Sequence, residues 1–198
     1  LPGVESAATA WSLPGVPRQY AVEFELVRGR SESEPALVAE WRTVSPGYFG
    51  ALRIPLVAGT RCRPPDAPST PEVMVNRRFA ERYFPGRRVI GLHLTWEGGA
   101  MTGRIAGVVA DARELGVDRE PAATVYACNS APSPFPWFLL RTHGEPLALA
   151  GAVRLALREL EPLRSVYDIA PLEERIGDAH AQHRQRTTLL VLFAGTAL

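Results

Sequence analysis

The sequence predicts an α+β fold of layered sheets and helices. Roughly seven or eight segments read as strands and four as helices. Their order follows neither a strict strand–helix alternation nor an all-strand rhythm, which favours separate layers of sheet and helix. The 198 residues are enough to bury a real core in one or two compact domains.

Turn residues Pro2-Gly3, Pro14-Gly15 and Pro17 punctuate the first twenty residues and leave room for a strand from Val4 toward Trp11. In the next segment Ala21, Glu23 and Glu25 oppose Val22, Phe24 and Leu26 at period two, the clearest half-buried strand in the chain. A polar break, SESEP, precedes a strand through Val38 and Trp41. Ser45 then stands as a capping residue and Pro46 as the first helical residue of a short helix toward Leu52. Residues 63–72 carry four prolines without periodicity and read as an exposed loop.

The stretch from Pro71 to Tyr126 is the centre of the expected fold. Val73, Met74 and Val75 form a strand, and Asn76 is placed to cap a helix. In that helix Phe79 and Tyr83, and Ala80 and Phe84, pair at i,i+4, while Arg77, Arg78, Glu81 and Arg82 face water. Pro85-Gly86 ends it. A strand from Gly91 to Trp96 and one from Thr102 to Val109 are expected to form a hairpin about Gly98-Gly99. After the polar segment 111–121 come strands at Ala123–Tyr126 and Trp137–Arg141. Pro146 opens the strongest helix, with Leu149, Val153, Leu157 and Leu160 along one apolar side, and Pro162 stops it. The segment 163–169 admits a short strand without a clean alternation, and Pro171 opens a last helix with Glu173 and Glu174 in its first turn.

Composition excludes several partners. Lys+Arg 22 against Asp+Glu 21 gives no charge argument for a polyanion, and the four tryptophans fall in or beside expected strands, where core packing is the default; no nucleic-acid surface is expected. The arginine pairs at 77–78 and 87–88 read as solvated surface. Cys62 and Cys128 allow at most one internal disulfide, chemically permitted outside the cytoplasm, but spacing alone leaves the pairing open. The chain opens LPGVESAATAW, without a start methionine or signal-peptide pattern, and is expected to be a fragment of a longer protein. At the other end, residues 187–198 are uncharged and apolar, shorter than the about 20 residues a membrane span needs.

Three blocks carry a family resemblance. The first is Val75-Asn76, Phe79-Ala80, Tyr83-Phe84-Pro85-Gly86, Val89-Ile90-Gly91, and Ile105 to Val109 followed by Asp111-Ala112-Arg113. The second is Ser45-Pro46-Gly47-Tyr48-Phe49 with Leu52, Ile54-Pro55-Leu56 and Gly59. The third joins Val153-Arg154, Arg158-Glu159-Leu160-Glu161-Pro162-Leu163 and Pro171-Leu172-Glu173-Glu174-Arg175-Ile176. In this order they resemble the extracytoplasmic core of MacB-like and FtsX-like ABC transporter permeases, and more narrowly the duplicated antimicrobial-peptide-type permeases. Thr60-Arg61-Cys62 departs from the pattern, where an Arg and an aromatic often follow the glycine.

The resemblance implies a porter-like α/β lobe from 1–44 and 101–171, a smaller β-rich lobe inserted as 45–100, and 172–198 as a helix leading into a truncated membrane span. Pro46, Gly47, Tyr48, Phe49, Phe79, Tyr83, Phe84, Pro85, Gly91, Gly107 and Asp111 are expected to maintain shape. Leu189, Leu190, Leu192 and Phe193 are expected to meet lipid or neighbouring membrane helices. Arg184 and Arg186 run against the positive-inside tendency for that orientation.

Chemistry is sparse. There is no G-x-x-x-x-G-K-[ST] stretch, so ATP would be used by a separate ATPase, and Gly98 to Gly103 reads as a turn. His180 and His183 lack a third ligand, and His93 and His143 stand apart, so no metal or other cofactor is expected. G-x-S-x-G is absent, Cys128 with His143 makes a weak nucleophile–base pair, and Asp111, Glu114, Asp118 and Glu120 read as a solvated loop. Asp111 and Arg113 are expected to fix that loop at the strand exit.

The leading expectation is a non-catalytic extracytoplasmic domain at the bacterial inner membrane. It would pair with a cytoplasmic ABC ATPase and a second permease half or copy, and act on a periplasmic adaptor or a peptide- or lipid-like substrate. The alternatives are a secreted binding or adaptor module and a soluble hydrolase using Cys128, His143 or the 111–120 acids.

Overall fold

A computed structural model describes residues 1–27, 37–63, 71–128, 136–163 and 165–181. Its strands are β1 (Val4–Ala10), β2 (Ala21–Leu26), β3 (Leu37–Val44), β4 (Leu56–Gly59), β5 (Glu72–Asn76), β6 (His93–Trp96), β7 (Met101–Val109), β8 (Thr124–Cys128) and β9 (Trp137–Thr142). The helices are α1 (Tyr48–Ala51), α2 (Arg77–Tyr83), a 3-10 turn (Pro146–Leu149) running into α3 (Ala150–Leu160), and α4 over 172–181. The mixed α+β expectation is met.

The nine strands form one sheet in the order β2-β6-β7-β5-β8-β3-β1-β9, with β4 beside β7. Because β2 also pairs with β3, the first six strands close on themselves into a barrel. The β3–β8 and β5–β7 pairs are parallel and the others antiparallel. The hairpin expected about Gly98-Gly99 is β6–β7, in register from Trp96 opposite Met101 to His93 opposite Arg104. Strands β4 to β6, from the 45–100 segment, are hydrogen-bonded into the same sheet as β7 and β8.

Every barrel strand sends side chains to one cluster: Phe24, Ala39, Val73, Val75, Leu94, Trp96, Ile105, Val108 and Val125. Phe79 and Phe84 of the α2 segment join it, which is what buries the apolar side of that helix. On β5 and β8 the pleat turns Met74, Tyr126 and Cys128 the other way, into a second cluster with Ala8, Ala10, Val44, Tyr48, Phe49, Ala51, Ile54 and Leu139. A register shift between Val73 and Met74 opposite β7 marks a bulge, which is why both Ile105 and Val108 reach the first cluster and Ala106 and Val109 the second. The central strands are therefore buried on both faces.

Asn76 carries the start of α2 as expected. Its Oδ1 accepts from Phe79 N at 3.0 Å, but also from Thr124 N at 2.9 Å, while its Nδ2 donates to Ala122 O at 2.8 Å. One buried amide thus caps the helix and locks β8 beside it.

Several expectations are corrected. Ser45 does not cap α1: its Oγ accepts from Thr9 N at 2.9 Å, so the hydroxyl is spent on β1 and the helix begins at Tyr48. Pro46 consequently precedes the helix instead of opening it. Pro146 opens a 3-10 turn, not the α-helix itself. The apolar side of α3 is only partly covered: Leu149, Val153 and Leu157 are half-buried, and Leu160 is 78% exposed. Residues 165–171 form no strand, and Glu72, expected in a loop, begins β5. Residues 64–70 of that expected loop lie outside the described residues, as do His183 and Leu189, Leu190, Leu192 and Phe193. Among the described residues no helix is long and apolar enough to cross a membrane.

The pairing left open by the sequence is resolved: Cys62 and Cys128 form a disulfide with Cα atoms 6.1 Å apart, closing a loop of 66 residues. A crosslink of that span removes loop entropy worth about 4 kcal/mol from the unfolded chain. Reduction should therefore lower the unfolding free energy from urea titration by that order, and an unchanged midpoint with two titratable thiols would refute it. Asn76→Ala strands two buried N–H donors and is expected to cost about 3 kcal/mol. Its check is a lower urea midpoint at unchanged slope; a loss below about 1 kcal/mol would show that other groups satisfy those donors.

Candidate functional site

The register of β3 against β8 builds the site. Glu40, Arg42 and Val44 share one face of β3, and the parallel pairing sets Arg42 beside Tyr126 and Val44 beside Cys128. Leu37, Ala39 and Trp41 take the opposite face, where Trp41 packs against Trp96 and Phe24 at ring-centre distances of 4.8 and 5.9 Å. Alternation alone would leave Glu40 and Arg42 in water. Instead the 11–20 segment and Glu114 cover that face, and both side chains are buried.

Glu114 closes the arrangement from above. Tyr48 Oη donates to its two oxygens at 3.0 and 2.9 Å, and Tyr126 Oη donates to Oε1 at 3.0 Å. Arg42 Nε lies 3.8 Å from Glu114 Oε2, close enough for strong charge attraction but without a hydrogen bond. The rest of the guanidinium is anchored: Nη1 donates to Trp41 O and Nη2 to Arg18 O, both at 3.1 Å, and Nη1 stands 3.6 Å from Glu40 Oε2. That Glu40 oxygen accepts from Tyr20 N at 2.9 Å. Four segments, 11–20, α1, β3 with β8, and 110–123, are therefore tied to one buried cluster.

Burial pushes the Glu114 carboxyl above the usual glutamate range, opposed by Arg42 and by the two hydroxyl donors. Desolvation, then the Glu114 charge, raises Tyr48 and Tyr126 well above the ordinary phenol value, so both remain neutral donors. The cluster is thus a set of fixed dipoles and charges, not a poised nucleophile.

Glu114, expected in a solvated loop, is instead buried. A carboxylate among other acids in a polar segment carries no local signal of burial; the signal lies in two tyrosines and an arginine distant in sequence. Asp111, Asp118 and Glu120 are exposed as expected.

Among the residues expected to hold shape, Tyr48, Phe49, Phe79 and Phe84 are buried, and Tyr83, half-buried, donates from its hydroxyl to Val38 O at 2.5 Å. Pro46 is half-buried, Pro85 is exposed, and Gly91 sits at positive φ in the turn before β6. Gly47 lets α1 approach β1, since a Cβ there would stand 2.3 Å from Ala7 O. Gly107 does the same for β4, with Thr60 O 2.5 Å from such a Cβ. Asp111 Oδ1 accepts from Arg78 N at 2.8 Å, and Arg113 Nη1 donates to Val117 O. The structure brings only Tyr48 of these residues to Glu114.

Other chemistry does not assemble. The Cys128 sulfur is consumed in the disulfide, which removes the Cys128–His143 pair as a nucleophile and base. Among the described residues no group of three His, Cys, Asp or Glu could hold a metal ion. His180 faces Asp118 at 3.7 Å.

The pH dependence of stability follows from the raised Glu114 carboxyl. Between the ordinary glutamate value, about 4.3, and the higher folded value, the native state keeps a proton that the unfolded state has lost, so stability falls as pH rises. Glu114→Gln should remove this part of the slope, at most about 1.4 kcal/mol per pH unit. Urea midpoints of both proteins from acid to neutral pH provide the test, and equal slopes would contradict it.

No family model matches the chain, and no curated protein matches it. Solved structures do. The periplasmic region of MacB from Actinobacillus actinomycetemcomitans superimposes with a TM-score of 0.54 at 13% identity, over 81% of this chain and 69% of that one. A domain of a permease-type protein from Porphyromonas gingivalis gives 0.52 at 18% identity, over 81% of this chain and 65% of its own. The extracellular domain of the noncanonic ABC-type transporter YknZ from Gram-positive bacteria gives 0.53 at 12% identity, over 86% and 83%. At these identities the likeness is one of fold, and at that level the expected resemblance is met: the chain has the mixed α+β fold, with β-barrel and porter-like parts, of the extracytoplasmic domains of MacB- and FtsX-type permeases.

Proposed function

We propose that this chain is the non-catalytic extracytoplasmic domain of an ABC-type permease, transmitting ATP-driven movement of membrane helices to substrate export or to a periplasmic partner. The observation that carries the reading is the fold shared with a periplasmic region of MacB, a permease domain and an extracellular ABC-type transporter domain. The disulfide supports an extracytoplasmic position at the bacterial inner membrane, since cytosolic thiols are kept reduced. The missing phosphate loop supports ATP use by a separate cytoplasmic ATPase. A second permease half or copy completes the assembly, and its cargo or partner is a peptide- or lipid-like molecule or a periplasmic adaptor.

In this reading 1–44 with 101–171 form the porter-like lobe, 45–100 the inserted β-rich lobe, and 172–198 the helix that enters the membrane. Pro46 to Phe49, Phe79, Tyr83 to Pro85, Gly91, Gly107 and Asp111 keep the domain's shape. Leu189, Leu190, Leu192 and Phe193 face lipid or neighbouring helices. The buried Glu114 cluster does mechanical work: it holds four segments in fixed relation so that force applied to one reaches the others.

The test uses the full-length permease with its ATPase in lipid nanodiscs. Trapping the ATPase in its nucleotide-closed state should change backbone hydrogen exchange within this domain. Exchange that is identical with and without nucleotide would overturn the reading.

A further inference from the structure

Helix α4 meets two loops directly outside the Glu114 cluster. Leu172, Arg175, Ile176, Ala179 and His180 are half-buried, while Glu173, Glu174, Gly177 and Asp178 face water. Ile176 closes over Gly15: a Cβ at Gly15 would stand 2.9 Å from Ile176 Cδ1, 3.2 Å from its Cγ1 and 3.9 Å from Arg113 O. Gly15 is buried at φ +75°, where side-chain-bearing residues are strained. His180 adds a second contact through Asp118. The loops also touch each other, since a Cβ on Gly116 would lie 3.6 Å from Pro17 Cγ.

The inner ends of both loops enter the same cluster. Glu114 follows Arg113 directly, and Arg18 O and Tyr20 N are held by Arg42 and Glu40. Gly15 stands between Ile176 and the Arg113 carbonyl and has no side chain of its own to absorb a displacement.

We propose that Ile176 against Gly15 is the joint through which α4 acts on the barrel, and that Glu114 is the positioning residue that carries its displacement into β3 and β8. The inference rests on the proposed function, which makes α4 the membrane-side element. Movement of Ile176 toward Gly15 must shift the Arg113 carbonyl. Glu114 cannot yield independently, because two tyrosine hydroxyls hold its oxygens and Arg42 faces them. A packed interior of this kind moves as a unit instead of deforming gradually.

The test is hydrogen exchange on the whole 198-residue chain without nucleotide, so its failure is distinct from failure of the transport reading. Ile176→Ala should speed exchange of the amides in 11–20 and 110–118 roughly tenfold, with a smaller acceleration in β3 and β8. In a Glu114→Gln background, or a Tyr48→Phe background should the first variant not fold, the loop response should persist and the strand response vanish. Gly15→Ala should speed the same loop amides, and less so once Ile176 is alanine. Loops that ignore Ile176→Ala, a strand response equal in both backgrounds, or a Gly15→Ala effect independent of residue 176 would each overturn the proposal.

Discussion

The structure depends on burying one carboxylate. Glu114 is removed from water, and such a transfer is costly unless hydrogen bonds and an opposite charge replace the lost hydration. Tyr48, Tyr126 and Arg42 supply part of that replacement, from α1, β8 and β3, while desolvation still outweighs them and keeps the carboxyl above its ordinary range. None of the three elements can move away without stranding the charge. The cost of an unpaired buried ion therefore acts as a positional constraint on α1, on the 110–123 segment and on the two strands. A hydrophobic cluster of the same volume would be at least as stable, but it would tolerate sliding; directional bonds tolerate little.

That constraint sits on a sheet with two buried faces. Six strands close around one apolar cluster, and the reverse faces of β5, β7 and β8 help build a second. The Glu114 network belongs to the second side, together with the disulfide that fastens Cys62 to the end of β8. Asn76 works at the strand's other end, fixing α2 and β8 with one amide. The barrel is thus pinned at both ends of β8: by Asn76 at Thr124, and by Glu114 and the disulfide at Tyr126 and Cys128.

Local elements were legible where a single pattern decided them. The period-two run at 21–26, the capped helix after Asn76 and the hairpin at Gly98-Gly99 each follow from neighbours in sequence. Barrel closure did not, because it depends on β2 meeting both β3 and β6, and on parallel pairings between strands far apart in the chain. The site was hidden for a related reason. Glu40 and Arg42 look like the wet side of a strand until Arg18, Tyr20 and Glu114 cover them, and the Ser45 hydroxyl looks like a cap until β1 claims it. Propensity reads what a residue prefers alone; tertiary contacts decided these positions. The family blocks were informative about fold because they record the outcome of such contacts, as Tyr48 illustrates.

A buried charge cluster with perturbed acids is commonly a sign of catalysis, and here the geometry argues otherwise. Both tyrosines are held as neutral donors, the carboxylate is enclosed by its partners, and the two cysteines on this side of the sheet, Cys62 and Cys128, are oxidised to a disulfide. What the arrangement does possess is connectivity. Each partner comes from a different segment, and two of those segments, 11–20 and 110–123, pack against α4 on their outer side. Catalysis needs a charge that substrate can reach; force transmission needs one that cannot relax. Enclosure of Glu114 defeats the first requirement and meets the second, so the burial that keeps this carboxyl from a substrate suits it to the mechanical role proposed above.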